Sequence, residues 1–303
     1  SGYPLFSAPD SLIDALKDSG FDLLTGSNNH RIDTGVKGFY RTIDVVRDKG
    51  LDIIGIRRNE TEKSYVIKEI NGVKVALLNI GYGSTLKDGT RTLNGIPIPK
   101  ELLNLIDYVD YDRIEEDIII AEKLIEQVKQ EKPHFIVAFM HWGNEYQRKP
   151  NQHQKDMAHS LSKMGVDVIF GGHPHVLQPA EVIESQGRET IVFYSLGNII
   201  SNQRKETIEN IYSEQGMIAS ATLRYYSNGE KVILEASYMP TWVNKKKSPK
   251  LLYEIIPVEE ALQNKASFSN INAQDIYRIS YTKESVDELM SSMDTKAVFS
   301  GER

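Results

Sequence analysis

The sequence predicts an α/β fold with a layered, mixed β-sheet core flanked by helices. Three observations lead there. Apolar strand-like runs alternate with segments of helical periodicity, the pattern that sets helices against a sheet. Two Asn-Gly pairs, Asn71-Gly72 and Asn228-Gly229, each lie between strand-like runs and signal tight hairpins, so the sheet is mixed rather than purely parallel. Two further runs, 135–140 and 166–170, end directly in His141 and in Gly171-Gly172-His173. Ligands of open α/β sheets bind beyond such carboxyl ends of strands.

Taken in order, Pro9-Asp10 and Gly20 bracket a short helix over 9–20, with Leu12, Ile13 and Leu16 at helical spacing. A strand over 21–25 breaks at Gly26-Ser27-Asn28-Asn29-His30. A helix over 36–48, closed by Gly50, precedes a strand over 51–56. Runs 64–70 and 73–80 form the first hairpin. Residues 81–107, with four glycines and two prolines, read as a long loop of the kind that serves as a functional lid. Residues 112–130 form a helix, because Ile114, Ile118, Ala121, Ile125 and Val128 share one stripe. The strand 135–140, a helix over 151–163 and the strand 166–170 make the central unit. Another strand, 189–196, ends at Gly197-Asn198. Runs 217–226 and 231–240 flank the second hairpin. Lys245-Lys246-Lys247 reads as a basic loop, 253–258 as an edge strand and 285–293 as a helix.

Composition excludes several classes. With 303 residues, 40% of them hydrophobic, the chain can bury a full core in one large domain or one domain plus an appendage. A net charge of −6 gives no reason to expect nucleic acid as a partner. The absence of cysteine rules out disulfides, thiolate ligands and a cysteine nucleophile. There is no Gly-x-Ser-x-Gly elbow and no Gly-Lys-Ser/Thr phosphate loop. No run has the length of a membrane span and no signal peptide is present. The chain opens on Ser1-Gly2-Tyr3-Pro4 without methionine, which points to a piece of a longer precursor.

The chemistry-bearing residues gather at strand ends. His173-Pro174-His175 places two imidazoles just past a strand, stiffened by Pro174, and His141 ends another strand. Imidazole is a common neutral ligand for Zn, Fe, Mn or Ni; the competing reading is a turn with solvated histidines. Asn28-Asn29-His30 reads either as an Asx turn at a helix entry or as a site, with Asn29 an amide-oxygen metal ligand and His30 an acid or oxyanion donor. Glu145 and Glu181 flank the histidine motifs and read equally as supporting carboxylates or as surface residues. His134, His153 and His159 read as structural.

These segments resemble the CapA family, capsule-synthesis proteins associated with poly-γ-glutamate. Asn28-Asn29-His30-Arg31-Ile32-Asp33-Thr34-Gly35 resembles its NNH-x-x-D-x-G signature. His141-Trp142-Gly143-Asn144-Glu145-Tyr146 is similar to its HWG-x-E-Y block, Gly172-His173-Pro174-His175 to its G-H-x-H metal block, and Tyr194-Ser195-Leu196-Gly197-Asn198 to its YSLGN block. The resemblance covers most of 1–245 and leaves 246–303 as a C-terminal extension. It implies a calcineurin-like metallophosphoesterase fold and metal-dependent hydrolysis. Asn29, His141, His173 and His175 would hold a divalent transition metal (Mn, Zn or Fe), with His30 catalytic. Asn28, Asp33, Glu145, Glu181 and Asn198 would support the metal or the substrate. The implied setting is the extracellular face of a bacterial membrane, anchored through a segment missing from this chain. Implied partners are poly-γ-glutamate or a phosphoester substrate, and other capsule-synthesis proteins.

Family members also begin with a strand bearing a GD motif, followed by an N-L-E block. Neither is found here, so the expected fold lacks its N-terminal strand or strands and the bridging carboxylate. The remaining ligands are neutral and do little to offset two divalent ions, so at most one metal is expected, bound weakly through His141 and His173 with help from Asn29 or His175, and no phosphodiesterase activity is expected of this chain. A second hypothesis from another class is a scaffold that binds the polyanion without cleaving it, through Arg204-Lys205 and Lys245-Lys246-Lys247.

Overall fold

The computed structural model describes residues 2–110, 112–246, 250–268, 270–291 and 299–301. It is an α/β structure with mixed parallel and antiparallel strands flanked by helices, as the sequence predicts. The chain forms two compact units, one of residues 1–141 and 163–166, the other of 142–162 and 167–303.

The first unit runs α1 (Ser11–Asp18), β1 (Leu23–Thr25), α2 (Gly35–Asp48), β2 (Asp52–Ile54), β3 (Val66–Ile70), β4 (Val73–Thr85), β5 (Arg91–Leu93), β6 (Ile96–Pro97), β7 (Tyr108–Asp110), α3 (Ile114–Gln130) and β8 (Phe135–His141). Strand β4 organises it. Its first half pairs antiparallel with β3 across the Asn71-Gly72 turn and parallel with β8. Both turn residues have positive φ, 52° and 80°, which is why this dipeptide closes the hairpin. The second half of β4 pairs with β7 and β5, and β5 pairs with β6. A core of Phe39, Ile43 and Val46 from α2, with Ile53, Leu93, Leu102 and Ile106, seals the unit.

The expected loop over 81–107 is therefore largely structured. Its strands are two or three residues long, too short for periodicity to reveal. Their hairpin turns at Asn94-Gly95, a third Asn-Gly pair, with φ of 48° and 74°.

The second unit contains most of α4 (Gln152–Met164), then β9 (Val168–Gly172), β10 (Leu177–Ser185), β11 (Arg188–Leu196), α5 (Lys205–Ile208), β12 (Gln215–Tyr225), β13 (Lys231–Lys246), β14 (Leu252–Pro257), α6 (Val258–Gln263), α7 (Ala273–Ser291) and β15 (Phe299–Gly301). Strand β11 lies parallel to β9 and antiparallel to β10. Sequence reading missed β10, because Pro179 interrupts it and lacks the N–H that a central strand needs. In the other sheet β13 pairs antiparallel with β12 and β14 and parallel with β15.

Helix α7 is longer than the expected 285–293, whose last two residues lie outside the described ones. It starts at a reciprocal cap: Asp275 N–H donates to Asn272 Oδ1 at 3.0 Å and Asn272 N–H to Asp275 Oδ2 at 2.9 Å. Its Ile279 packs with Trp242, Ile256, Val258 and Ala261.

The basic runs are corrected here. Lys245 and Lys246 end strand β13 rather than forming a loop, and Lys247 lies outside the described residues. Lys245 Nζ donates to Asn202 Oδ1 at 2.6 Å and Lys246 Nζ pairs with Asp275 at 2.6 Å. Arg204 is buried. It donates to Val243 O at 2.6 Å, pairs with Glu214 at 3.1 Å and covers the Trp242 ring. Lys205 alone of that pair is exposed.

Glu214, 1% exposed, also accepts from Lys205 N–H, Trp242 Nε1 and Arg278. Removing one partner of such a buried network leaves charge unpaired. Glu214→Ala should therefore destabilise the protein by roughly 3–5 kcal/mol in denaturant melts; a loss under about 1 kcal/mol, the scale of an exposed pair, would show the network to be solvated.

Candidate functional site

In the first unit the Asn28-Asn29-His30 loop is fixed from below. Ser27 N–H donates to Asn79 Oδ1 at 2.7 Å, and Asn79 Nδ2 donates to Phe139 O at 3.0 Å, which ties the loop to β4 and β8. Ser27 Oγ donates to Asp107 O and accepts from Gly81 N–H. Gly81 is required here, since a Cβ would stand 2.5 Å from Ser27 Oγ. Asn28 Oδ1 accepts from His30 N–H at 2.9 Å, an Asx turn.

From this loop a chain of side-chain hydrogen bonds runs through five residues. Asp33, its side chain 2% exposed, accepts at Oδ2 from the backbone N–H of Phe6 and from His30 Nδ1, each at 2.8 Å. A carboxylate only accepts, so Nδ1 carries the proton. His30 Nε2 then accepts from Asn94 Nδ2 at 3.2 Å. Asn94 Oδ1 accepts from Asn29 Nδ2 at 3.0 Å, and Asn29 Oδ1 accepts from His141 Nε2 at 2.9 Å. Every donor points toward Asp33. Tyr82 stacks on His141, with ring centroids 6.1 Å apart, and Phe6 meets His30 edge-on at 4.6 Å. Asn94 escaped sequence reading; the Asn94-Gly95 turn was the signal that could have found it.

His30 also lines a cleft of about 660 Å³ in this unit, together with Asn28, Arg31, Thr34, Asp10 and Arg41. Asp10 and Arg41 neutralise each other through two hydrogen bonds of 2.7 and 2.6 Å. This pairing holds the Asp10 carboxyl below its ordinary range.

In the second unit His173 and His175 follow β9, with φ of 101° and 58°. Left-handed backbone costs a non-glycine residue about 1–3 kcal/mol and persists where surrounding structure enforces it. That structure is present. Tyr146 N–H donates to Pro174 O at 2.7 Å and the Tyr146 ring stacks on His175 at 6.1 Å. Asn198 Nδ2 donates to His175 O and Ser213 O, which leaves Oδ1 to accept from His175 Nδ1 at 3.0 Å. His175 Nε2 is thereby left with its lone pair. The His173 and His175 rings lie 6.1 Å apart. Gly171 must be glycine, because a Cβ there would collide with Tyr194 O.

Glu181 accepts from Tyr194 Oη at 2.7 Å, while Glu145 is exposed. His134 is structural, its Nδ1 accepting from Lys74 N–H at 2.9 Å.

A dinuclear metal centre needs a negative bridge and several convergent ligands. Each unit instead offers neutral donors: Asn29 Oδ1 beside His141 Nε2, and His173 near His175. Among the described residues no group of three or more His, Asp or Glu side chains is arranged to hold an ion. Taken unit by unit, these neutral donors lack the negative bridge that a dinuclear centre needs.

An α/β chain with an Asn-Asn-His loop and histidines ending two strands defines the class; family comparison narrows it. Residues 1–203 match the model of the bacterial capsule synthesis protein PGA_cap family, and the chain belongs to that family. The PGA biosynthesis protein CapA of Bacillus subtilis (strain 168) is 32% identical over 197 residues, covering 63% of this chain and 45% of that protein. The capsule biosynthesis protein CapA of Bacillus anthracis is 32% identical over 201 residues, covering 65% of this chain and 44% of that protein. The chain thus spans less than half the length of these curated relatives. Among solved structures, a hypothetical protein from Thermus thermophilus superposes over 80% of each chain, with a TM-score of 0.44 and 12% identity.

Burial, and then the hydrogen bond to Glu181, push the Tyr194 phenol well above its ordinary value of 10.0. A pKa raised on folding stabilises fully below the unfolded value, and that stability is lost as pH rises through the folded one. Denaturant melts at about pH 8 and about pH 11 should show a loss of stability that is smaller in Tyr194→Phe than in wild type. Equal slopes would remove Tyr194 as a source of alkaline sensitivity.

Proposed function

We propose that this chain acts in the synthesis, export or processing of capsular poly-γ-glutamate at the bacterial cell surface, as a hydrolytic domain with His30 as its acid–base group. Membership of the capsule-synthesis family supports the setting. The one-way hydrogen-bond chain ending at Asp33 supports the chemistry. It fixes His30 in the Nδ1–H tautomer, with a basic Nε2. The His30 side chain is 29% exposed and lines the cleft, so Nε2 is reachable once Asn94 is displaced. On taking a proton there, His30 becomes an imidazolium that Asp33 stabilises, and it can return the proton to a leaving group.

The scaffold alternative drew on basic runs whose Arg204 and Lys246 are engaged within the protein. The acid–base reading is therefore preferred.

If His30 is the proton carrier, His30→Gln should lower turnover of poly-γ-glutamate or of an aryl phosphodiester by about 10²–10⁴-fold while the fold is kept. Unchanged turnover in the variant, or no turnover by the folded wild type with or without added Mn²⁺, would sink the reading. The neutral donors favour one loosely held transition ion at most, so a Mn²⁺ or Zn²⁺ titration should saturate at no more than one per chain. Two tightly bound ions would mean that a carboxylate such as Glu145 or Glu181 supplies a bridge.

A further inference from the structure

The cleft beside His30 contains a cation with no visible duty. Arg31 lines it, and its guanidinium Nε is out of contact with solvent and has no hydrogen-bond partner. Among the described residues no ion pair or side-chain hydrogen bond holds Arg31. Its contacts are the Phe39 ring, 5.4 Å from Cζ, and the Coulomb pull of Asp33. Asp33 offsets the burial of Arg31 only in part: its Oδ2 is taken by His30 and Phe6, and its pull on the guanidinium is outweighed by desolvation.

The other arginine of the cleft differs. Arg41 is fully engaged by Asp10 in a two-pronged pair. Arg31 as a whole is partly buried, but a guanidinium nitrogen shut off from solvent without a hydrogen bond is costly, and folded proteins pair such groups or use them. Burial lowers the Arg31 pKa to about 10, against the raising influence of Asp33, so the group is still a cation at neutral pH. Its planar fork is suited to the two oxygens of a carboxylate or a phosphate.

We propose that Arg31 makes this cleft an oxyanion-binding subsite, which holds an acidic group of the substrate next to His30. The inference rests on the proposed hydrolytic role for the nature of the substrate, but not for the binding itself. A carboxylate of a γ-linked glutamate chain and a phosphoryl group share the chemistry that Arg31 recognises. The cleft is large enough for more than a single ion, at about 660 Å³. Phe39 holds the guanidinium in place without consuming a donor.

Two probes separate the sources: a short γ-linked glutamate oligomer and inorganic phosphate, each titrated into the whole chain by calorimetry. Wild type should bind at least one of them. Arg31→Met should weaken that binding roughly tenfold or more, the scale of a lost charge-assisted hydrogen bond. Arg31→Lys keeps the charge but loses the fork, and should fall between the two. Binding of the oligomer alone identifies a carboxylate site, and binding of phosphate alone a phosphoryl site. Arg31→Met should melt no lower than wild type, because it removes a guanidinium whose desolvation is only partly offset by Asp33. This separates loss of the subsite from loss of the fold. The inference is overturned if neither probe binds wild type at millimolar concentration, or if Arg31→Met binds like wild type. Since the readout is binding, an Arg31-dependent site in a chain without turnover would retain the subsite and discard the hydrolytic reading. Turnover with an unchanged KM in Arg31→Met would do the reverse.

Discussion

The first unit depends on the direction of one hydrogen-bond chain. Asp33 can only accept, and that single fact propagates: His30 must donate from Nδ1, Asn94 must present its amide nitrogen to His30, and Asn29 must present its own to Asn94. His141 then donates from Nε2. Turning either amide would set like groups face to face, and for the buried Asn29 each polar group so stranded costs about 1–3 kcal/mol. Three separate segments have to arrive in register for this to hold. The Ser27–Asn79 and Ser27–Gly81 bonds seat the first, the Asn94-Gly95 turn seats the second, and the pairing of β8 with β4 seats His141. The backbone geometry of the loops and the proton positions of the candidate site are therefore one problem with one solution.

The second unit solves a similar problem with backbone strain. His173 and His175 occupy left-handed conformations that a histidine adopts at a cost. Asn198 holds His175 at both its carbonyl and its ring, and Tyr146 holds Pro174. A structural turn would more simply use glycine at these positions. The hydrogen bond from His175 Nδ1 to Asn198 fixes the tautomer, so Nε2 is the nitrogen left open.

What the sequence made legible follows from how local each signal is. Long amphipathic segments such as α2 and α3 stand close to their expected bounds, because periodicity accumulates over many residues. The Asn71-Gly72 hairpin was legible for the same reason, its turn lying between two long runs. The stretch 81–107 was not: β5 and β6 have three and two residues, and what holds them is tertiary pairing. Strand β10 was hidden by Pro179, and the first half of α7 by a polar face opened by an Asn272–Asp275 cap. In the candidate site, the motif residues Asn29, His30, Asp33 and His141 were singled out from sequence, and the structure links them in one chain. Asn94, which joins them, has no motif of its own. Its role comes from a position 65 residues downstream of Asn29 that only the folded sheet brings near.

Charge runs were the least reliable part of the sequence, for a physical reason. Adjacency along the chain says nothing of what each side chain faces. Arg204 and Lys205 are neighbours, yet one is buried over the Trp242 ring and bound to Glu214 while the other is exposed. Lys246 is committed to Asp275. Arg31 sits in no run at all, and in sequence it is only a spacer between His30 and Asp33. Desolvation reverses that ranking. An exposed lysine next to a lysine is hydrated and pays little for its charge, whereas a guanidinium removed from water is strongly destabilised unless something compensates. The informative cation is thus the partly desolvated one whose compensation within the chain is incomplete, and its position in a cleft directs attention to what enters that cleft.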